Sequence, residues 1–529
     1  MSAGPKLAFY HDSRHPLIYM YEPPMSRSQH EAAVDELLGT PVDALMFCLG
    51  DGRTMLHDTK VGELWGHNVD RWPHLVFRRA HLNATDVIAA GTDPLRIVCE
   101  RARAKALAIY PSLILQQGRG PRDVDVRCSE FRFDNKHLEL GPETDAETDA
   151  NDPASTLLDF SHETVRDERF ALVKEVVESY PVSGFELHFA WYARFFKADG
   201  VDAGRELMTH WVRDISELVR GSGSSRQLAI RVPVSIEGCY QAGLDVAAWM
   251  SEGLVDIVTG QTFPGAELVD CTADFGGLVK AARGTDTHVL ATVNSFVDSD
   301  RMGEATIEVV RACASNMWAQ GVDGLYLAHW FGLWPYEADF YQKLRELPHP
   351  EVMAPKDKQY YLPTSTHRQV DPNPGPGGRR DLPLTLVLDE PSVVVLLIAD
   401  DLPKQPENVR EVLLRLRLMN WTEADVCEIE LNGQRLPEEQ LRRINETYRM
   451  AQPRFRAGPA YWFVYRLGPD LWPRLGGNTI SIRLTDRAAD VIPPVILRDV
   501  ECEIRYLRGR AAHRGFVDPD LGAWTSENP

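Results

Sequence analysis

Eight times between residues 7 and 332, a short apolar run gives way to a stretch that is helical or irregular. The runs begin near Leu7, Ala44, Leu107, Gly184, Leu228, Asp256, His288 and Val322, with a helix candidate between most neighbours. Several are continuously apolar, as in ALMFCLG at 44–50, rather than alternating with polar residues. Continuous apolarity suits strands buried on both faces, and strands of that kind alternating with helices build parallel βαβ units. Eight such units predict an α/β fold, a closed (β/α)8 TIM barrel. An open doubly wound sheet is the competing arrangement, weakened because no glycine-rich phosphate turn follows the first strand.

The helical patterns cover Arg27–Leu38, Asp93–Lys105, His162–Ser179, Ala203–Val219, Leu244–Glu252, Ala273–Arg283 and Gly303–Ala319, and a long stretch before Asp93 reads as irregular. Leu157–Phe160 reads as a short strand, and ELGPETDAETDANDP as a solvated acidic loop. After residue 350 the character changes. PNPGPGGRRDLP at 372–383 is the composition of a linker. Beyond it come short runs, several alternating with period two and separated by turn signals, which predict an all-β, jelly-roll-like sandwich. The expected organisation is a barrel over 1–350, a linker over 351–383, a sandwich over 384–508 and a tail over 509–529.

With 529 residues, two or three domains are expected. A net charge of −20 and the lack of a basic stripe argue against a nucleic-acid partner. The eight cysteines are scattered without metal-finger or disulfide-framework spacing, so free buried thiols are expected. MSAGPKLAFY has no signal-peptide pattern, and no apolar run reaches the roughly 18–20 residues that span a bilayer. The expectation is no membrane partner and a cytoplasmic location, or a secreted or periplasmic one if the chain has been trimmed. An oligomer is left open. No cofactor and no metal are expected, since HxH and HExxH spacings are absent.

In barrel enzymes chemistry sits at the C-terminal ends of the strands. GFELHF places Glu186 and His188 two residues apart, hence on one strand face. Glu237 closes the next run, LAIRVPVSIEG. Two carboxyl groups flanking one bond are what glycoside cleavage needs, so Glu186 and Glu237 are the candidate catalytic pair. The competing roles are a salt bridge from Glu237 to an arginine such as Arg231 and a structural Glu186–His188 contact. His11 and Asp12 follow run one, Asp51 and Arg53 run two, Gln261 run six, Asn294 run seven, and His329 and Trp330 run eight; with His188, Trp191 and Tyr326 they form the candidate substrate-binding set. Trp191, Tyr192, Phe195, Phe196, Phe263, Tyr326, Trp330, Phe331, Trp334 and Tyr336 cluster after runs four, six and eight. Aromatic rings stack on apolar sugar faces, so the group suits a carbohydrate cleft.

Three blocks, LLDFSHETVRDERFALVKEVVESYPVSGFELHF, RVPVSIEGCYQAGLDVAAWMSEGLVDIV and GVDGLYLAHWF, resemble those of a bacterial glycoside-hydrolase-like barrel group, distantly similar to alpha-amylase-like and alpha-galactosidase-like barrels. The resemblance covers residues 7–345 and implies a glycoside hydrolase with a strand-four carboxylate. The aspartate usual in that strand would fall at His188, which leaves Glu186 as its carboxylate. Strand seven, LATVNSF, also lacks the glutamate of the cellulase-type clan, so that clan's double displacement is not implied. EIELNGQRL and LGGNTISIRL resemble the galactose-binding-like sandwiches appended to many glycosidases. The alternatives are a divalent-metal-dependent sugar isomerase or lyase using Glu186, His188, His11 and His329, and a non-catalytic sugar-binding barrel.

Overall fold

The computed structural model describes residues 4–141, 153–262, 268–297, 304–364, 382–445 and 460–507. The acidic stretch at 142–152, Phe263, the linker stretch at 365–381 and the tail from 509 lie outside them.

The eight apolar runs form β1 (Leu7–His11), β2 (Ala44–Cys48), β3 (Ala108–Ile114), β4 (Gly184–His188), β5 (Gln227–Pro233), β6 (Ile257–Gln261), β7 (His288–Val293) and β8 (Gly324–Leu327). They pair in order, all parallel, and β1 closes on β8. Nearly every strand residue is buried, because helices cover the outside and side chains fill the inside. The register alternates faces consistently. Tyr10 pairs with Met46, Ser112 with Glu186, Arg231 with Thr259 and Thr292 with Tyr326, so these side chains share the inward face. Gly184 begins β4 because there is no room for more. A Cβ there would lie 2.1 Å from the Gln227 carbonyl oxygen and 2.6 Å from the Tyr110 ring.

The helices begin where capping residues satisfy their first N–H groups. Ser26 and Gln29 form a capping box at Arg27–Asp35, and Asp93 caps Pro94–Ala104. Two sequence expectations change. The stretch read as irregular contains a helix, Leu75–Ala89, whose buried face is Ala80, Asn83 and Ala84 while Leu75 is exposed, so it carries no strong apolar periodicity. Leu157–Phe160 is not a strand; Leu158 makes one isolated bridge to Glu139.

The C-terminal part is two antiparallel sheets facing each other across a second core. One has the order Leu384–Thr385, Ile496–Tyr506, Val409–Met419, Ala460–Arg466, Leu441–Asn445; the other has Pro391–Ile398, Gly476–Asp486, Val426–Leu431, Gln434–Arg435. Asn432 and Gly433 both have positive φ, the two-residue turn that an Asn-Gly pair favours. Lys358–Tyr361, inside the stretch expected to be linker, joins the first sheet by pairing with Ile496–Tyr506. Helix Ile307–Ala319 connects the two cores. Cys313 packs with the barrel core and Ala312 with the sandwich core, and Asn316 Nδ2 donates to the Leu397 carbonyl at 3.0 Å. Among the described residues no helix is long and apolar enough to cross a membrane. The eight cysteines are free thiols, seven of them buried.

Candidate active site at the barrel centre

Barrel interiors are ordinarily filled by branched aliphatic side chains. Here the layer nearest the strand ends is polar. Glu186, fully buried on β4, accepts through Oε2 from the Ser112 hydroxyl on β3 and, at 3.1 Å, from the Tyr326 hydroxyl on β8. Arg231 on β5 places Nη2 3.8 Å from the same oxygen. Two hydroxyl donors and a guanidinium therefore complement a negative charge at Oε2, while Oε1 has no partner.

Arg231 also donates from Nη2 to His188 Nδ1 at 2.9 Å. A guanidinium cannot accept, so Nδ1 must be the acceptor, and the ring proton sits on Nε2. Burial, then Arg231 and His329, hold His188 well below the ordinary histidine range. It is a neutral imidazole, and the Gln261 side chain lies within hydrogen-bonding reach of it. The guanidinium lies over the rings of Tyr10 and Tyr326, 4.2 Å and 4.9 Å from their centroids. Burial works against the Arg231 charge, but Tyr326, Glu186 and Tyr10 outweigh it and raise its pKa. Burial pushes both tyrosines well above their usual range, so each keeps its phenolic proton.

Around this centre Thr259 Oγ1, Thr292 Oγ1 and Asn294 Oδ1 are buried without partners, and Gln261 is buried beside His188. Asn294 Nδ2 donates to the Leu268 carbonyl at 2.8 Å. Above them Trp191 packs edge-on to His188, with ring centroids 6.4 Å apart, and tilts against His329 at 6.3 Å. Of the residues expected from sequence, the structure thus brings together Glu186, His188, Trp191, Gln261, Asn294, Tyr326 and His329.

The others lie elsewhere. Glu237 is exposed, because β5 ends at Pro233 and Ser235 caps a new helix, Ile236–Gln241; its carboxylate accepts from Gln241 at 2.9 Å. The two-carboxylate pair is therefore not assembled, and it is Glu186 that Arg231 faces. His11 sits on the face of β1 opposite Tyr10, stacked on Phe47, with Nδ1 accepting from the Ser13 amide; burial lowers its pKa to about 4. Asp12 accepts from the His15 amide and lies 3.4 Å from Arg14. Asp51 and Asp125 grip Arg53 from both sides, at 3.0 Å and 2.7 Å, and so pin the loop after β2 to that after β3. Trp330 packs on Phe340 and donates to the Val293 carbonyl, a structural place. Among the described residues no group of three or more His, Cys, Asp or Glu side chains is placed to share a metal ion.

Sequence reasoning missed Tyr10, Ser112 and, as a site residue, Arg231. One signal was available, a lone arginine in the apolar run LAIRVPV with the parity of Ala229.

Fold and site together define a (β/α)8 barrel with a charged, hydrogen-bonded centre beneath its mouth, joined to a β-sandwich. No protein-family model matches the chain, and no curated protein matches it in sequence. Solved structures similar to it include carbohydrate-active enzymes. Alpha-L-fucosidase isoenzyme 2 from Paenibacillus thiaminolyticus has a TM-score of 0.44 at 11% identity, covering 66% of this chain and 49% of that one. The glycoside hydrolase domain of PgaB (BpsB) from Bordetella bronchiseptica has 0.39 at 13%, covering 66% and 97%. A maltogenic alpha-amylase, AmyB, from Thermotoga neapolitana has 0.38 at 10%, covering 89% and 98%. The chain spans about half the length of the fucosidase.

Proposed function

We propose that the protein is a glycoside hydrolase acting at the C-terminal mouth of its barrel, with Glu186 as the carboxylate on which turnover depends. The observation that carries this reading is the Glu186–Arg231–His188–Tyr326 network. Apolar side chains would fill the same space at equal or greater stability, so charge buried beneath a barrel mouth points to chemistry. Glycoside cleavage passes through an oxocarbenium-like state that a nearby carboxylate stabilises. Glu186 supplies the charge, the two hydroxyl donors at Oε2 and the nearby guanidinium orient it, and Oε1 is left to face the sugar. His188 Nε2–H is a neutral donor suited to a sugar hydroxyl, and Trp191 offers a ring for an apolar sugar face. Because Glu186 is closed off from solvent, substrate binding and opening of the mouth are coupled in this reading.

A second reading, sugar binding without turnover, is favoured by the place of Glu237 on an outer helix and by the neutral Gln261 and Asn294 at the ends of β6 and β7. The test is a panel of 4-nitrophenyl glycosides and polysaccharides, scored for product and for ligand-induced thermal shift. Hydrolysis that falls roughly 10²- to 10⁴-fold in Glu186→Gln supports the first reading. Thermal shifts without product support the second, and undiminished hydrolysis by Glu186→Gln removes Glu186 from the mechanism.

A further inference from the structure

The loop after β4 has two sides. Trp191 turns to His188, whereas residues 193–196 form one wall of a separate groove of about 610 Å³. Helix Ile236–Gln241 and the start of helix Val201–Gly221 form the other walls. That volume is in the range of small-ligand sites. The groove is a built surface rather than a gap in packing. Its floor is tight: a Cβ on Gly243 would lie 2.6 Å from the Phe196 ring.

On the helix, Glu237, Tyr240 and Gln241 are spaced i, i+3, i+4 and share one face. The Arg205 guanidinium lies 3.6 Å from the centroid of the Tyr240 ring, donates to the Tyr240 carbonyl at 3.0 Å, and pairs with Asp202 at 3.1 Å. Arg205 therefore clamps one face of the ring, yet Tyr240 remains 44% exposed. Beside it the Glu237–Gln241 pair presents further acceptors in a fixed place. The two arginines and two acids that line the groove balance in charge. An exposed, immobilised ring flanked by a carboxylate and an amide complements a neutral, hydroxyl-rich ring better than an ion or a purely apolar group.

We infer that this groove is a second sugar-binding site beside the mouth, with Tyr240 as its stacking platform and Glu237 and Gln241 as hydroxyl partners. The inference shares with the proposed function the idea that the ligand is a carbohydrate, but it does not require turnover.

The experiment is native affinity electrophoresis of the full chain through gels containing soluble starch, xyloglucan, mixed-linkage β-glucan, galactomannan or arabinan. Wild type, Tyr240→Ala and Glu186→Gln are compared, with thermal midpoints as the folding control. Expected is retardation in at least one gel that persists in Glu186→Gln and weakens roughly tenfold in Tyr240→Ala, a loss of about 1.4 kcal/mol. Glu237→Gln, which keeps the shape but not the charge, is expected to weaken it as well. Equal retardation of Tyr240→Ala and wild type, or no retardation of wild type in any gel, overturns the inference. Failure of the proposed hydrolysis shows instead as retardation without product on any glycoside.

Discussion

Replacing Glu186 by glutamine keeps the shape of the side chain and an acceptor for Ser112 and Tyr326, but removes the negative charge that faces Arg231. At 3.8 Å and an effective dielectric near 20, the lost attraction is about 4 kcal/mol. Both side chains are at most 1% exposed, so water does not take over the solvation of the stranded guanidinium. The expected cost is therefore that of breaking a buried pair, about 3–5 kcal/mol. Arg231→Met leaves the opposite problem, an unanswered carboxylate, and also forfeits the stacking on Tyr10 and Tyr326. The double variant, Glu186→Gln with Arg231→Met, strands no charge and should cost far less than the sum of the two, a coupling of roughly 3 kcal/mol. Urea unfolding of the four proteins, with m-values compared, gives the cycle. The double variant also serves function, since it is expected to fold and to be inactive. Additive single costs, or single costs below about 1 kcal/mol as for a surface pair, would refute the reading of the centre as a tight charge network.

Two further outcomes follow from other buried groups. His30 is buried, its Nε2 has no partner, and burial lowers its pKa to about 4. Its folded pKa is depressed, so the unfolded chain binds a proton that the folded chain refuses between pH 6.5 and about 4, and stability falls as pH falls through that window. His30→Leu should remove up to about 1.4 kcal/mol per pH unit of that slope, measured as the difference in urea midpoint between neutral and acidic buffer relative to wild type. Thr292→Val replaces a buried hydroxyl without a partner by a methyl group. It should stabilise the fold by roughly 1 kcal/mol while weakening the thermal shift caused by a bound sugar. A loss of stability would mean that the hydroxyl is paired.

Much of the fold was legible along the chain. Strand burial on both faces leaves a local trace, and all eight barrel strands lie where the short apolar runs predict them. The Asn432–Gly433 turn is likewise a local matter, because its backbone angles suit those two residues. The helix Leu75–Ala89 escaped because small and polar residues make its buried face, so its packing is not written in hydrophobicity. Glu237 was misplaced for a related reason. A strand followed at once by a capped helix looks, in sequence, like a longer strand, and only the Ser235 cap decides that the chain turns outward.

The sequence by itself determined the eightfold alternation, the sandwich that follows it, and the presence of Glu186 and His188 on one face of β4. It could not say what they meet. Tyr326 reaches Glu186 across a separation of 140 residues, and Arg231 lies against Tyr10 from the far end of the same ring of strands. Those partners become neighbours only when β8 closes on β1 and inward side chains from opposite strands share the barrel axis. Closure joins residues by register around a ring rather than by spacing along a chain, so the charged centre is decided by the tertiary structure alone.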